Sequence, residues 1–70
     1  MDKYKLEYFM NTNNISKDEL CKAMKISKSA FFRKCNGQSE FTRNEIERIA
    51  SILGLSGEDI LSIFFAKQVS

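Results

Sequence analysis

The sequence predicts an all-α fold, a compact bundle of about five short helices forming one domain over residues 1–70. Three observations carry this. No stretch alternates apolar and polar residues as a half-buried strand must. A helix-start signal recurs four times: an apolar residue, then Ser or Thr, then a second apolar residue four positions after that hydroxyl. Its instances are Ile15-Ser16 with Leu20, Ile26-Ser27 with Phe31, Phe41-Thr42 with Ile46, and Leu55-Ser56 with Ile60. Finally, Gly37 and Gly54 stand where left-handed residues end helices.

The recurring signal is a hydrophobic staple around an N-cap. The hydroxyl accepts from an orphan backbone N–H of the first turn, and the flanking apolar pair clamps the entry angle. Helix 1 is expected near Asp2–Asn11, burying Leu6, Phe9 and Met10. Helix 2 follows near Lys17–Met24 and helix 3 near Lys28–Asn36. Helix 4, near Arg43–Leu53, carries an apolar stripe of Ile46, Ile49, Ala50 and Leu53. Helix 5 is expected near Gly57–Ala66. Three of the four signals place an acid at the third helical position, Glu19, Glu45 and Asp59, completing a capping box. The exception is helix 3, with Ala30 there and Arg33 and Lys34 beyond. A carboxylate at that place would stabilise the helix by about 0.3–1 kcal/mol through the macrodipole. Its absence suits a helix whose start approaches phosphates, and chance omission of a common residue accounts for it equally.

Composition excludes several classes. At 43% hydrophobic and 29% charged, with no Pro and three Gly, the chain is neither disordered nor collagenous. No apolar run approaches the ~20 residues that span a bilayer, and the start "MDKYKLEYFMNTNN" lacks a signal peptide's apolar core. A cytosolic location is expected, with no membrane partner. Cys21 and Cys35 are too few for a disulfide framework and read as small buried thiols. With no His and no Cys-x-x-Cys pair, no metal site is expected. With no nucleophile–base pair and no glycine-rich phosphate loop, neither catalysis nor a small-molecule cofactor is expected.

Charge is uneven. From Cys21 to Arg43 the cations Lys22, Lys25, Lys28, Arg33, Lys34 and Arg43 face one anion, Glu40, leaving +5 there against +2 for the whole chain. Such a concentration is the footprint of an anionic partner, or else a solvated charged face. Helices 2 and 3 are separated only by Lys25, Ile26 and Ser27, the spacing of a helix-turn-helix over residues 16–36. Leu20, Met24, Ile26, Phe31 and Cys35 form its shared core, and Lys28, Ser29, Phe32, Arg33 and Asn36 fall on the outward face of helix 3. Such a helix fits a DNA major groove.

The stretch "SKDELCKAMKISKSAFFRKCNG" resembles the helix-turn-helix of the lambda repressor/Cro family, also called the XRE family. "FTRNEIERIASILGLS" resembles that family's following helix and closing Leu-Gly-apolar-Ser signature. The likeness runs from about Ser16 to Phe64 and is closest to small phage or prophage repressors. It implies a sequence-specific transcriptional regulator of double-stranded DNA, a repressor in the bacterial cytoplasm, with residues 28–36 in the major groove. By position, Lys28, Ser29 and Arg33 resemble the family's base readers, and Lys17 and Asn36 its phosphate contacts. Local capping explains Ser29 and Asn36 nearly as well. Arg43, with Gln38 and Ser39, would grip the backbone beyond helix 3, joined by Lys25 and Lys34. Phe32 is open to two readings: contact with a thymine methyl, or a shield over the seam between helix 3 and Phe41.

Three positions depart from the family. Lys25 replaces the turn Gly, so either a left-handed conformation there costs about 1 kcal/mol or the turn differs slightly. Cys21 replaces an Ala, and Lys34 replaces an apolar core residue. Lys34 is expected to lay its stem on apolar surface and extend its ammonium to water or phosphate.

On helix 5, Ile60, Leu61, Ile63, Phe64 and Phe65 cover an arc of about 200°, wider than one core face needs. Leu61, Phe65 and Val69 are therefore candidates for a homodimer on a palindromic operator; the alternative is that helix 5 plugs the core from two sides. A different class of function also fits: a protein-interaction module that keeps the fold without DNA, partnering an antirepressor or a toxin.

Overall fold

A computed structural model describes residues 1–65. Five helices follow in order: α1 (Lys3–Thr12), α2 (Lys17–Met24), α3 (Lys28–Cys35), α4 (Arg43–Leu53) and α5 (Gly57–Phe64). The expected bounds of α2 and α4 match to the residue. The others differ by a residue or two at their ends, where helices fray; the expected last residue of helix 5, Ala66, lies outside the described residues.

Each helix starts as its sequence dictates. Ser16, Ser27, Thr42 and Ser56 sit in extended backbone, each accepting from the N–H three residues on. Glu19, Glu45 and Asp59 each return an acceptor to the cap's own N–H, closing three capping boxes; Ala30 cannot. α1 has an Asp cap that the hydroxyl pattern misses. Asp2 accepts from the Lys5 N–H at 3.1 Å, and its own N–H donates to the Ile63 carbonyl at 2.7 Å.

Helix ends repeat one device. Asn14, Lys25, Gly37 and Gly54 have φ between 56° and 80°, the left-handed region. The residue after each donates its N–H back five positions: Ile15 to Met10, Ile26 to Cys21, Gln38 to Arg33 and Leu55 to Ala50, at 2.9–3.1 Å. This bond satisfies a carbonyl the helix leaves open. In three cases the next residue is an apolar one and then a Ser cap, so a single left-handed residue turns one helix into the next. Lys25 (φ 59°, ψ 41°) and Gly54 (φ 65°, ψ 38°) adopt the same conformation.

These turns bring the apolar stripes together. α2 packs on α3 and α4, α5 on α4 and α1. Leu6, Met10, Leu20, Cys21, Met24, Phe31, Ile49, Leu53 and Ile63 form one buried cluster. Phe9, Ile26 and Cys35 are only partly buried around it. Phe41 bridges the far side, edge-on to Phe31 at 5.9 Å and to Phe64 at 5.5 Å. Among the described residues no helix is long and apolar enough to cross a membrane.

Lys25 carries a side chain where backbone alone suffices, so Lys25→Gly should stabilise the fold by about 1 kcal/mol, raising Tm by about 4–8 °C. A Cβ at Gly54 meets nothing within 4 Å, so Gly54→Lys should lose a similar amount through backbone strain alone. Thermal melts of the two variants check both signs.

Candidate nucleic-acid interface

α3 projects from the bundle because α2 turns into it over a single left-handed residue, Lys25. Phe31 faces inward at 4% exposure, while its neighbour Phe32 is 66% exposed. That split fixes the rotation of the helix. Lys28, Ser29, Arg33 and Asn36 share the exposed side with Phe32. The N-terminus of α3, capped by Ser27, has no acid in its first turn.

Half of the cations around this face have partners among the described residues. Lys28 pairs with Asp18 of α2 at 2.6 Å, an exposed contact that raises the lysine's pKa above its ordinary value. Lys17 pairs with Glu7 at 3.6 Å and Arg43 with Glu47 at 3.5 Å. Arg33, Lys22 and Lys25 are exposed and form no ion pair among the described residues. The +5 of the segment is thus partly neutralised by Asp18, Glu45 and Glu47, which fold back on it from outside.

Beside α3 a shallow hollow of about 220 Å³ is lined by Lys3, Leu6, Glu7, Lys17, Phe31, Phe32, Cys35 and Asn36. At its edge Asn36 donates to the Phe32 carbonyl at 2.8 Å and accepts from the Lys3 ammonium at 3.0 Å. Burial pushes the Cys35 thiol up to about 11, and the Cys21 thiol is raised chiefly by burial as well. Both cysteines are free, and at neutral pH both stay thiols, poor nucleophiles and poor metal ligands. Among the described residues no group of three or more potential ligands could hold a metal ion.

A family model for the Cro/C1-type HTH DNA-binding domain matches residues 5–65. The chain belongs to that family. Searches of curated proteins and of solved structures gave no match. As a Cro/C1-type domain the chain is a DNA-binding module whose partner is double-stranded DNA.

The expected contact residues fall into separate groups. Lys28, Ser29, Phe32 and Arg33 lie together on the exposed face of α3. Lys17 and Arg43 open α2 and α4, Lys25 occupies the turn, and Gln38 and Ser39 are exposed in the loop before α4. Asn36 serves as the C-cap of α3 and a tie to α1, the local role weighed for it above.

Lys34 does not reach outward as expected. Its side chain is 14% exposed; its Nζ donates to Glu45 Oε1 and to the Glu40 carbonyl, both at 3.0 Å, and lies 5.7 Å from the centre of the Phe41 ring. It is therefore withdrawn from the phosphate contacts. The seam role for Phe32 is also corrected. The aromatic packed on Phe41 from α3 is Phe31, and Phe32 borders the opposite flank, toward α1 and α2. Two acidic partners go unmarked in the sequence, Asp18 for Lys28 on the exposed face and Glu45 for Lys34 at the enclosed seam. Neither sits at a helical spacing from its lysine, so no local signal marks the pairs.

Phe32→Ala should leave stability within about 0.5 kcal/mol of the parent in chemical denaturation, since the ring is largely in water. Glu45 gives a pH dependence. Partial burial pushes its pKa up from the ordinary 4.5, but the Thr42 N–H and the Lys34 ammonium outweigh this and hold it below. Stability from this group is whole above pH 4.5 and is lost as pH falls through the lower folded value. Denaturant melts from about pH 6 to about pH 3 should show that loss, and Glu45→Gln should lack that part of it.

Proposed function

We propose that the chain is a sequence-specific transcriptional repressor that reads a palindromic operator as a homodimer. α3 enters the major groove; Arg33, Lys28 and Ser29 contact base edges, and Phe32 touches a thymine methyl at their border. Lys17, Lys25, Gln38, Ser39 and Arg43 hold phosphates on either side. The observation that carries the reading is the exposed face of α3, on which Arg33 forms no ion pair among the described residues, on a domain of the Cro/C1 type. An arginine fork matches guanine O6 and N7, the commonest specific contact.

The dimer is supported by α5. Ile63 is fully buried, whereas Leu61 and Phe65, four residues apart on one face, are 61% and 60% exposed. Two such side chains in water favour a second apolar surface over a core plug. A two-fold pair would set half-sites about 34 Å apart. Val69, the third candidate for this contact, lies outside the described residues.

Selection from a random duplex pool tests the operator and the dimer, because it returns both half-site and spacing. Binding should fall with salt at a slope of about 0.9 per phosphate contact. Arg33→Ala should lose about 1–3 kcal/mol of discrimination at one base pair of each half-site, yet keep weak, salt-sensitive binding. No duplex retention at low salt would instead favour the protein-interaction module, for which Phe32, Leu61 and Phe65 are the exposed anchors. Phe65→Glu should keep the helical signal and shift the sedimenting mass to that of a monomer; a parent chain that is monomeric on and off DNA would overturn the dimer.

A further inference from the structure

We infer that Lys34 and Glu45 are a positioning pair for DNA: they hold the α3–α4 loop and the start of α4 in register with the reading face of α3. This rests on the DNA reading above and adds a role for two residues that touch no DNA.

Three chain segments meet at one point. Lys34 belongs to α3, Glu40 to the loop and Glu45 to the first turn of α4. Glu45 Oε1 accepts from the Lys34 ammonium at 3.0 Å and from the Thr42 N–H at 2.8 Å. The same ammonium holds the Glu40 carbonyl at 3.0 Å. Phe41 covers the group from one side, and both charged side chains are nearly enclosed, at 14% and 16% exposure.

The loop depends on this tie. Among the described residues, no backbone–backbone hydrogen bond reaches Ser39, Glu40 or Phe41. The Lys34 bond to the Glu40 carbonyl is, among the described residues, the one hydrogen bond to the backbone of those three. On either side of it sit Gln38, Ser39 and Arg43, the loop's candidate phosphate groups. An apolar residue at position 34 would fill the same space against Phe41 without fixing the direction of any loop carbonyl. An enclosed ion pair adds little stability over a well-packed apolar pair. What it contributes is orientation, through hydrogen bonds that hold at only one geometry.

The test uses Lys34→Met and Glu45→Gln, with the tightest duplex that the parent chain recovers from a random pool. A merely electrostatic role predicts opposite signs: Lys34→Met loses a cation and binds more weakly, Glu45→Gln loses an anion and binds more tightly. The positioning role predicts that both variants, folded by circular dichroism, bind about tenfold more weakly with a salt slope shallower by about one to three phosphates. It also predicts faster amide exchange over Ser39–Phe41 in both variants without DNA. Glu45→Gln binding as tightly as the parent, at unchanged slope, would overturn it. Should Lys34→Met fail to fold, Glu45→Gln decides alone, since Gln also serves the third position of a capping box. A parent chain that retains no duplex at low salt sinks the DNA reading and this role together; a binding parent with unaffected variants sinks only this role.

Discussion

The structure depends on how the chain leaves one helix and enters the next. Its helices are eight to eleven residues long. Alone in water such segments are marginal, and each leaves four N–H and four C=O groups without internal partners. A left-handed residue followed by a backward N–H bond closes one end, and a hydroxyl with a reciprocal acid closes the next beginning. The same turn aims the helix axes. Between α2 and α3 it sets the crossing that lets Leu20, Met24 and Phe31 share a core while the far side of α3 stays bare. Interface geometry is thus a by-product of capping.

That economy explains what could be read in advance. Caps are local: Ser27 and Ala30, or Thr42 and Glu45, are three residues apart, and the staple's apolar pairs only slightly further. Helix order, most boundaries and the division of Phe31 from Phe32 all follow from such spacings. So does the family likeness, whose signatures are those same turns. At Lys25 the sequence leaves a left-handed residue and an altered turn both open, and the structure has the first; Asn14 is left-handed as well, a state Asn tolerates.

What escaped was long-range and electrostatic. Charge counted along a segment takes neighbours in sequence for neighbours in space. Lys28 meets Asp18 ten positions earlier, Lys34 meets Glu45 eleven later, and Lys3 reaches Asn36 across thirty-three. A lysine at a position where relatives are apolar signals that something unusual occupies the site, but its partner is visible only once α4 has folded back. Long cationic side chains also close helix ends in this fold, as Arg48 does by donating to the Ala23 carbonyl near the end of α2. Several of the basic residues are therefore structural donors first.

The contact between Lys28 and Asp18 gives the exposed helix a counter-ion of its own. Any incoming anion at that point must compete with a carboxylate of the same protein, 2.6 Å from the ammonium. On the proposed reading, an acceptor on DNA that meets Lys28 takes the place of Asp18, so the net gain from that contact is the difference between the two. An acidic residue beside a basic helix thus sets the reference against which any contact by that lysine is weighed.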